Sequence, residues 1–223
     1  MDVYRTEEEQ VEALKRWWQE NGKSIIVGLV LALVAVYGYR AWNDHQQTQG
    51  EAASNLYLDL MDAVAVNEET PNEANAATVT HLIGQLKSEF ESSTYAVYAA
   101  LMAAKQAVVK KDMVGAEQEL QWAMDNADAN SPLFLIARLR LARVIAAQGG
   151  EANAQRAIEL LDSAESGAYL ASFEEAKGDI YLTIGRRDEA RQAYKKALDS
   201  AQGSEVQRPL LSIKIDDLAQ EDS

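Results

Sequence analysis

The 223-residue chain contains no cysteine. That excludes thiol catalysis, thiolate metal sites, disulfide staples and lipoprotein-type acylation. Proline is limited to three residues, and runs of β-branched residues are scarce outside one apolar stretch. Ala, Leu, Glu and Gln dominate instead, a composition that favours helices throughout. Basic residues are also in short supply. The formal net charge is -14, and residues 43–223 carry 29 acids against 16 bases. Nucleic acid and anionic lipid both need a basic surface, so neither is expected as the main ligand. The only histidines are His45 and His81, on separate segments without ligand-spaced acids, so no metal site is expected. The segment Asp125 to Asn130 lacks the glycine and distal Glu of a calcium loop and reads as a helix end. No phosphate-binding loop, nucleophile elbow or dinucleotide fingerprint is present. Neither a catalytic residue nor a cofactor is therefore assigned. The paired carboxylates Glu174-Glu175 and Asp188-Glu189 read as helix-start or solvated charges.

What is there is one apolar stretch. From Ser24 to Tyr39 no residue carries a formal charge, and Lys23 and Arg40 bracket the run. Sixteen residues of helix rise about 24 Å, short of the roughly 30 Å hydrocarbon core of a bilayer. Ala41, Trp42 and snorkelling of the flanking cations close that gap. Trp17 and Trp18 lie before the stretch, and Tyr37, Tyr39 and Trp42 at its far end, as interfacial belts require. A buried core helix rarely runs so long without a polar residue. A cleaved signal peptide would need a shorter, basic leader and a small-residue cleavage site. The expected organisation is a cytoplasmic acidic tail (1–23), a transmembrane helix (24–42) and an exported domain (43–223). Orientation follows from Arg5, Lys15, Arg16 and Lys23 before the span, and from the absence of Lys or Arg between Arg40 and Lys87. The N-terminus is expected in the cytoplasm and everything after Trp42 across the membrane.

In the tail, Thr6 and Glu9 have capping-box spacing, and Val11, Leu14, Trp17 and Trp18 make an amphipathic helix that Asn21-Gly22 can end. Residues 43–50 are a linker or a continuation of the span helix. After them come a helix over Glu51 to Val66, with Ala53, Leu56, Tyr57, Leu60, Met61 and Val64 on one face, and a loop over Asn67 to Asn72. Helices are then expected from Glu73 or Ala74 to Phe90, Tyr95 to Lys110 and Leu133 to Gln148. Others cover Gln155 to Glu165, Leu170 to Ile184, Asp188 to Ala201 and Val206 to Ala219. Another lies between Asp112 and Ala123. Ser92, Ser93 and Thr94 are candidate caps for the helix starting near Tyr95, and Ser131 is a candidate cap with Pro132 in the first helical position.

The second half repeats itself. Ala116, Leu120, Ala123, then Ala157, Leu161, Ala164, then Ala190, Tyr194, Ala197 all read Ala-x3-large-x2-Ala. Ala176, Gly178, Tyr181 and Gly185 precede the last set, and the whole resembles a tetratricopeptide repeat (TPR). Gln202 stands where the terminal proline is usual. Lys111 replaces the turn glycine in the first copy, and about three extra residues after Gly149 are expected in the turn of the second. The segment from Glu51 to Phe90 is a degenerate first repeat. The fold class is all-α: one N-terminal transmembrane helix, then a TPR-like α-solenoid.

Small residues let paired helices approach, and Tyr181 and Tyr194 are expected to fill the space between them. The first helices of the pairs line the functional groove of such a stack. By register it comprises Tyr98, Leu101, Lys105, Val108, Ile136, Leu139, Arg143, Ser172, Glu175, Asp179 and Leu182, a set that favours a protein ligand. The residue after the small position is Lys105, Arg143 and Asp179 in turn, where carboxylate-clamping repeats place Asn, so that mode is not expected.

The layout also resembles one family. The residues that carry the likeness are Val11 to Arg16, Glu20 to Lys23, Arg40-x-Trp42-Asn43, Ala137 to Val144 and Gly178-Asp179. They are similar to the YfgM family, ancillary subunits of the bacterial SecYEG translocon. The resemblance implies a non-enzymatic inner-membrane protein with a periplasmic TPR-like domain. It further implies partnership with SecYEG and with the membrane-anchored chaperone PpiD, and a role in passing exported proteins to periplasmic chaperones. The lipid bilayer is contacted through residues 24–42. The alternative is an envelope scaffold or regulator whose cytoplasmic tail contacts a signalling partner.

Overall fold

A computed structural model of the chain describes residues 7–129, 131–163, 165–201 and 209–220. Every regular element among them is helical. The chain divides into two compact units, Met1–Ala52 and Ala53–Ser223. The first helix, α1 (Glu7–Glu69), supplies residues to both.

In the first unit, α1 carries the apolar stretch, and it is long and apolar enough to cross a membrane. No side chain from Lys23 to Gly50 is buried. Such a sleeve of exposed aliphatic residues, with all backbone groups paired inside the helix, is what lipid demands of a spanning segment. One expectation is corrected here. Asn21-Gly22 does not end a helix: the Asn21 amide donates to the Trp17 carbonyl at 3.0 Å, and the Trp18 indole packs over Gly22. A mid-helix glycine costs only about 1 kcal/mol, less than renucleating a helix beyond it. Residues 43–50 continue the helix, one of the two alternatives expected for them, with Thr48 donating to the Asp44 carbonyl one turn back. The Thr6 cap lies outside the described residues.

The second unit opens with the remainder of α1. It runs to Glu69, so the loop is shorter than the expected 67–72. Helix α2 (Glu73–Glu89) begins at Asn72, whose side chain accepts from the Asn75 amide. Leu60 of α1 and Val79, Ile83 and Leu86 of α2 form a small core with Ala99. Met61 stays 40% exposed. Three helix pairs follow: α3 (Thr94–Val109) with α4 (Met113–Asn126), α5 (Pro132–Ala147) with α6 (Glu151–Asp162), and α7 (Leu170–Thr183) with α8 (Arg187–Ala201). A 3-10 turn at Gly167–Tyr169 leads into α7, and α9 (Pro209–Gln220) follows α8. Of the three candidates before Tyr95, Ser93 caps α3, and Ser131 caps α5 as expected. The expected start of the last helix at Val206, and Gln202, lie outside the described residues.

Each pair turns at a residue with positive φ: Lys111 (φ 61), Gly149 (φ 79, followed by Gly150 at φ 82) and Gly185 (φ 74). Seven residues before each stands the small residue of the first helix: Ala104, Ala142 and Gly178. Five residues after each stands a buried alanine: Ala116, Ala154 and Ala190. This corrects the repeat register in the second copy. Counted from the turn, its equivalent positions are Ala154, Ile158 and Leu161, all buried. The extra residues do not swell the turn. Helix α6 starts two residues after Gly149, as α4 starts two after Lys111, and at 12 residues it is shorter than α4 or α8; Ala157 is also buried, while Ala164 lies outside the described residues. Ala190, Tyr194 and Ala197 are sealed by Leu211 and Leu218 of α9, while Leu210 and Ile213 of that helix are exposed.

Candidate protein-interaction groove

Helix α3 and helix α5 each end in a left-handed turn and pack a second helix behind them, leaving one face of each free. Their sequences fix which residues reach it. In α5, Leu139, Leu141, Ala142 and Val144 are buried. Arg138 points toward α6, where its Nε donates to the Leu160 carbonyl at 2.6 Å and its Nη2 to the Ser163 hydroxyl. It thereby satisfies carbonyl and hydroxyl oxygens at the α6 C-terminus, a position that favours a cation. Burial lowers its pKa. Ile136, Arg140 and Arg143, spaced by four and three residues, share the remaining face.

That face meets Tyr98, Leu101, Lys105 and Val108 of α3 in an open trough of about 520 Å³. Tyr57 of the second unit's α1 segment closes one side, its ring 5.8 Å from Tyr98 and 5.3 Å from Tyr95. Burial, with the neighbouring tyrosines, raises the Tyr57 pKa. Six of the groove positions read by register therefore line one trough: Tyr98, Leu101, Lys105, Val108, Ile136 and Arg143. Leu139 is instead buried, 8% exposed. Ser172, Glu175, Asp179 and Leu182, all on α7, do not line it.

Two of those α7 residues are occupied within the chain. Lys214 of α9 donates to Asp179 Oδ1 at 2.6 Å and to Glu175 Oε1 at 3.1 Å. The Tyr194 hydroxyl donates to the same Asp179 oxygen at 2.7 Å. Burial and this bond to an anion both push the Tyr194 hydroxyl up, so it stays protonated. Burial alone would lower Lys214, but its two carboxylate bonds outweigh that and raise it. Lys214 thus offsets one of the two negative charges that Glu175 and Asp179 place on the α7 face. The trough between α3 and α5 is lined by Lys105, Arg140 and Arg143 and by no acid. Lys105 has only a loose exposed partner, Glu68 at 3.8 Å, and among the described residues Arg140 and Arg143 have none.

The paired carboxylate at Glu174 also has a structural account. It is 7% exposed and bonded to Lys177 at 2.5 Å, and Lys177 reaches Asp162 of α6 at 2.8 Å. Among the described residues no cluster of three or more His, Cys, Asp or Glu is placed to hold a metal.

Reading by register missed Tyr57, Met102, Val109, Leu133, Arg140 and Val144 as trough residues. Arg140 carried a signal, since it stands one turn from both Ile136 and Arg143. Tyr57 carried none in the repeat pattern, because its helix departs from that pattern.

The chain matches the family model for a tetratricopeptide repeat-like domain over residues 15–220. It is 33% identical over 201 residues to a protein of Escherichia coli (strain K12) named ancillary SecYEG translocon subunit, covering 90% of this chain and 91% of that one. Proteins of the same name from Haemophilus influenzae and Aggregatibacter actinomycetemcomitans are 32% and 33% identical over 217 residues, which is 97% of this chain and 100% of each of theirs.

Proposed function

Since the chain belongs to the family of ancillary SecYEG translocon subunits, with its tetratricopeptide repeat-like domain, we propose that it is a non-enzymatic interaction subunit serving protein export. Residues 24–42 hold it in the inner membrane, residues 1–23 lie in the cytoplasm, and the domain from residue 43 lies in the periplasm. The span docks beside SecYEG. The domain binds a membrane-anchored chaperone of the PpiD kind and helps pass exported chains onward. The observation that carries this reading is the trough between α3 and α5. It is open, mostly apolar and rimmed by cations, and it belongs to helices that present a solenoid's ligand-binding face. An open surface of that kind suits a protein segment better than a small molecule, which needs enclosure.

Solubilising membranes in mild detergent and purifying the tagged full-length protein tests the proposal. SecYEG and the chaperone should co-purify. Reversing Lys105 and Arg143 together to Glu should weaken chaperone retention while the circular dichroism spectrum is unchanged. Retention of neither partner by the wild-type protein would overturn the reading and leave the scaffold alternative.

A further inference from the structure

The trough has a sign of its own, opposite to that of the chain around it. The protein carries a net charge of -14, yet the trough walls contain Lys105, Arg140 and Arg143 and no carboxylate. The acidic residues that the first-helix register would add, Glu175 and Asp179, are bonded to Lys214 of α9. Arg140 and Arg143 stand one helical turn apart on α5 beside Ile136 and Leu133, and among the described residues they make no ion pair. Two guanidiniums so placed, over a floor of Leu101, Val108 and Ile136, are matched by carboxylates that flank aliphatic side chains.

From this charge complementarity we propose that the trough takes an acidic, apolar peptide segment of a partner protein. Aliphatic side chains enter between α3 and α5, and one or two carboxylates bridge Arg140 and Arg143. This rests on the reading of the trough as a protein-docking surface and specifies its ligand. An anionic lipid shares part of that chemistry. The acidity of the whole chain works against approach to an anionic lipid surface, whereas a single acidic segment can be met by the local cations. Lys214 offsets one of the two charges of Glu175 and Asp179, which reduces the repulsion that the adjoining α7 would present to the same ligand.

The test uses full-length protein in detergent and two labelled peptides of about 12 residues. Both carry leucines at helical spacing; one has glutamates at the flanking positions and the other lysines. Fluorescence anisotropy should show the glutamate peptide binding at least about tenfold tighter, with the preference shrinking at high salt. Arg140→Glu with Arg143→Glu should abolish or invert that preference. Both arginines are exposed, so the fold is not at stake. Equal binding of the two peptides, or a preference untouched by the double reversal, overturns the proposal. So does competition by phosphatidylglycerol vesicles stronger than by unlabelled glutamate peptide, which assigns the trough to lipid. A second variant, Ile136→Trp, fills the trough and separates the two levels of inference in the co-purification. Chaperone lost with both variants supports the proposal. Chaperone lost on filling but kept on reversal overturns the acidic ligand and leaves the docking surface standing. Chaperone kept in both, with the trough variant folded by circular dichroism, overturns both.

Discussion

Gly178 and Tyr194 meet with no room between them: a Cβ on Gly178 would lie 2.4 Å from Tyr194 Cε1. Tyr194 is fully buried, and its hydroxyl is fixed on Asp179, so the ring has nowhere to go. Gly178→Ala should therefore destabilise the domain by about 1–3 kcal/mol, although alanine is the better helix former by about 1 kcal/mol. Gly84, inside α2, has nothing within 4 Å of its would-be Cβ. Gly84→Ala should stabilise by about 0.5–1 kcal/mol. Urea titrations of the two variants should move in opposite directions.

Lys111 is the only described residue other than glycine with positive φ, and it occupies the turn that Gly149 and Gly185 make in the other pairs. A side chain in that conformation costs about 1–2 kcal/mol, partly offset by the extra freedom glycine gives the unfolded chain. Lys111→Gly is expected to raise the denaturation midpoint by a few tenths to about 1 kcal/mol equivalent. Gly185→Ala should lower it by a similar amount.

Ala190 and Tyr181 separate what the repeat pattern fixes from what it leaves open. Ala190 is fully buried, and Ala190→Trp should cost about 1–3 kcal/mol or more. Tyr181 is only half-buried, with the Arg186 guanidinium 5.0 Å from its ring centroid. Tyr181→Ala should then cost about 1–2 kcal/mol, below the roughly 3–5 of a fully buried aromatic. Thermal melts in which Tyr181→Ala loses as much as a fully buried aromatic, or Ala190→Trp melts with the parent, would contradict the observed packing.

The same contrast explains how much could be read from the residues. Small-residue spacing and turn position placed Ala116, Tyr194 and Ala197 in the core, because close helix approach tolerates few alternatives there. The register slipped at Ala157 because α6 repeats alanine three residues apart, at 154 and 157, and both are buried. Six groove positions converged on the trough because α3 and α5 follow the repeat. Glu175 and Asp179 are instead bonded to Lys214, which comes from 35 or more residues away. Such a side-chain pairing across helices leaves no local pattern. Asn21-Gly22 misled for a related reason: a stop signal is weak when strong helix-forming sequence continues on both sides.

Topology is open to a direct check. Protease added to spheroplasts should digest the chain after Trp42 and spare residues 1–23. Protection of the C-terminal domain, with loss of the tail, would reverse the proposed orientation.

The most direct test of the central claim places a photoreactive amino acid at Tyr98, in the trough, and separately at Gln155, an exposed residue of α6 outside it. Illumination of intact membranes and mass spectrometry of the adducts would follow. Crosslinks from Tyr98 to a membrane-anchored chaperone or to a translocon subunit, absent from Gln155, are the expected result. Adducts of the same partners from both sites, or none from Tyr98, would contradict the account.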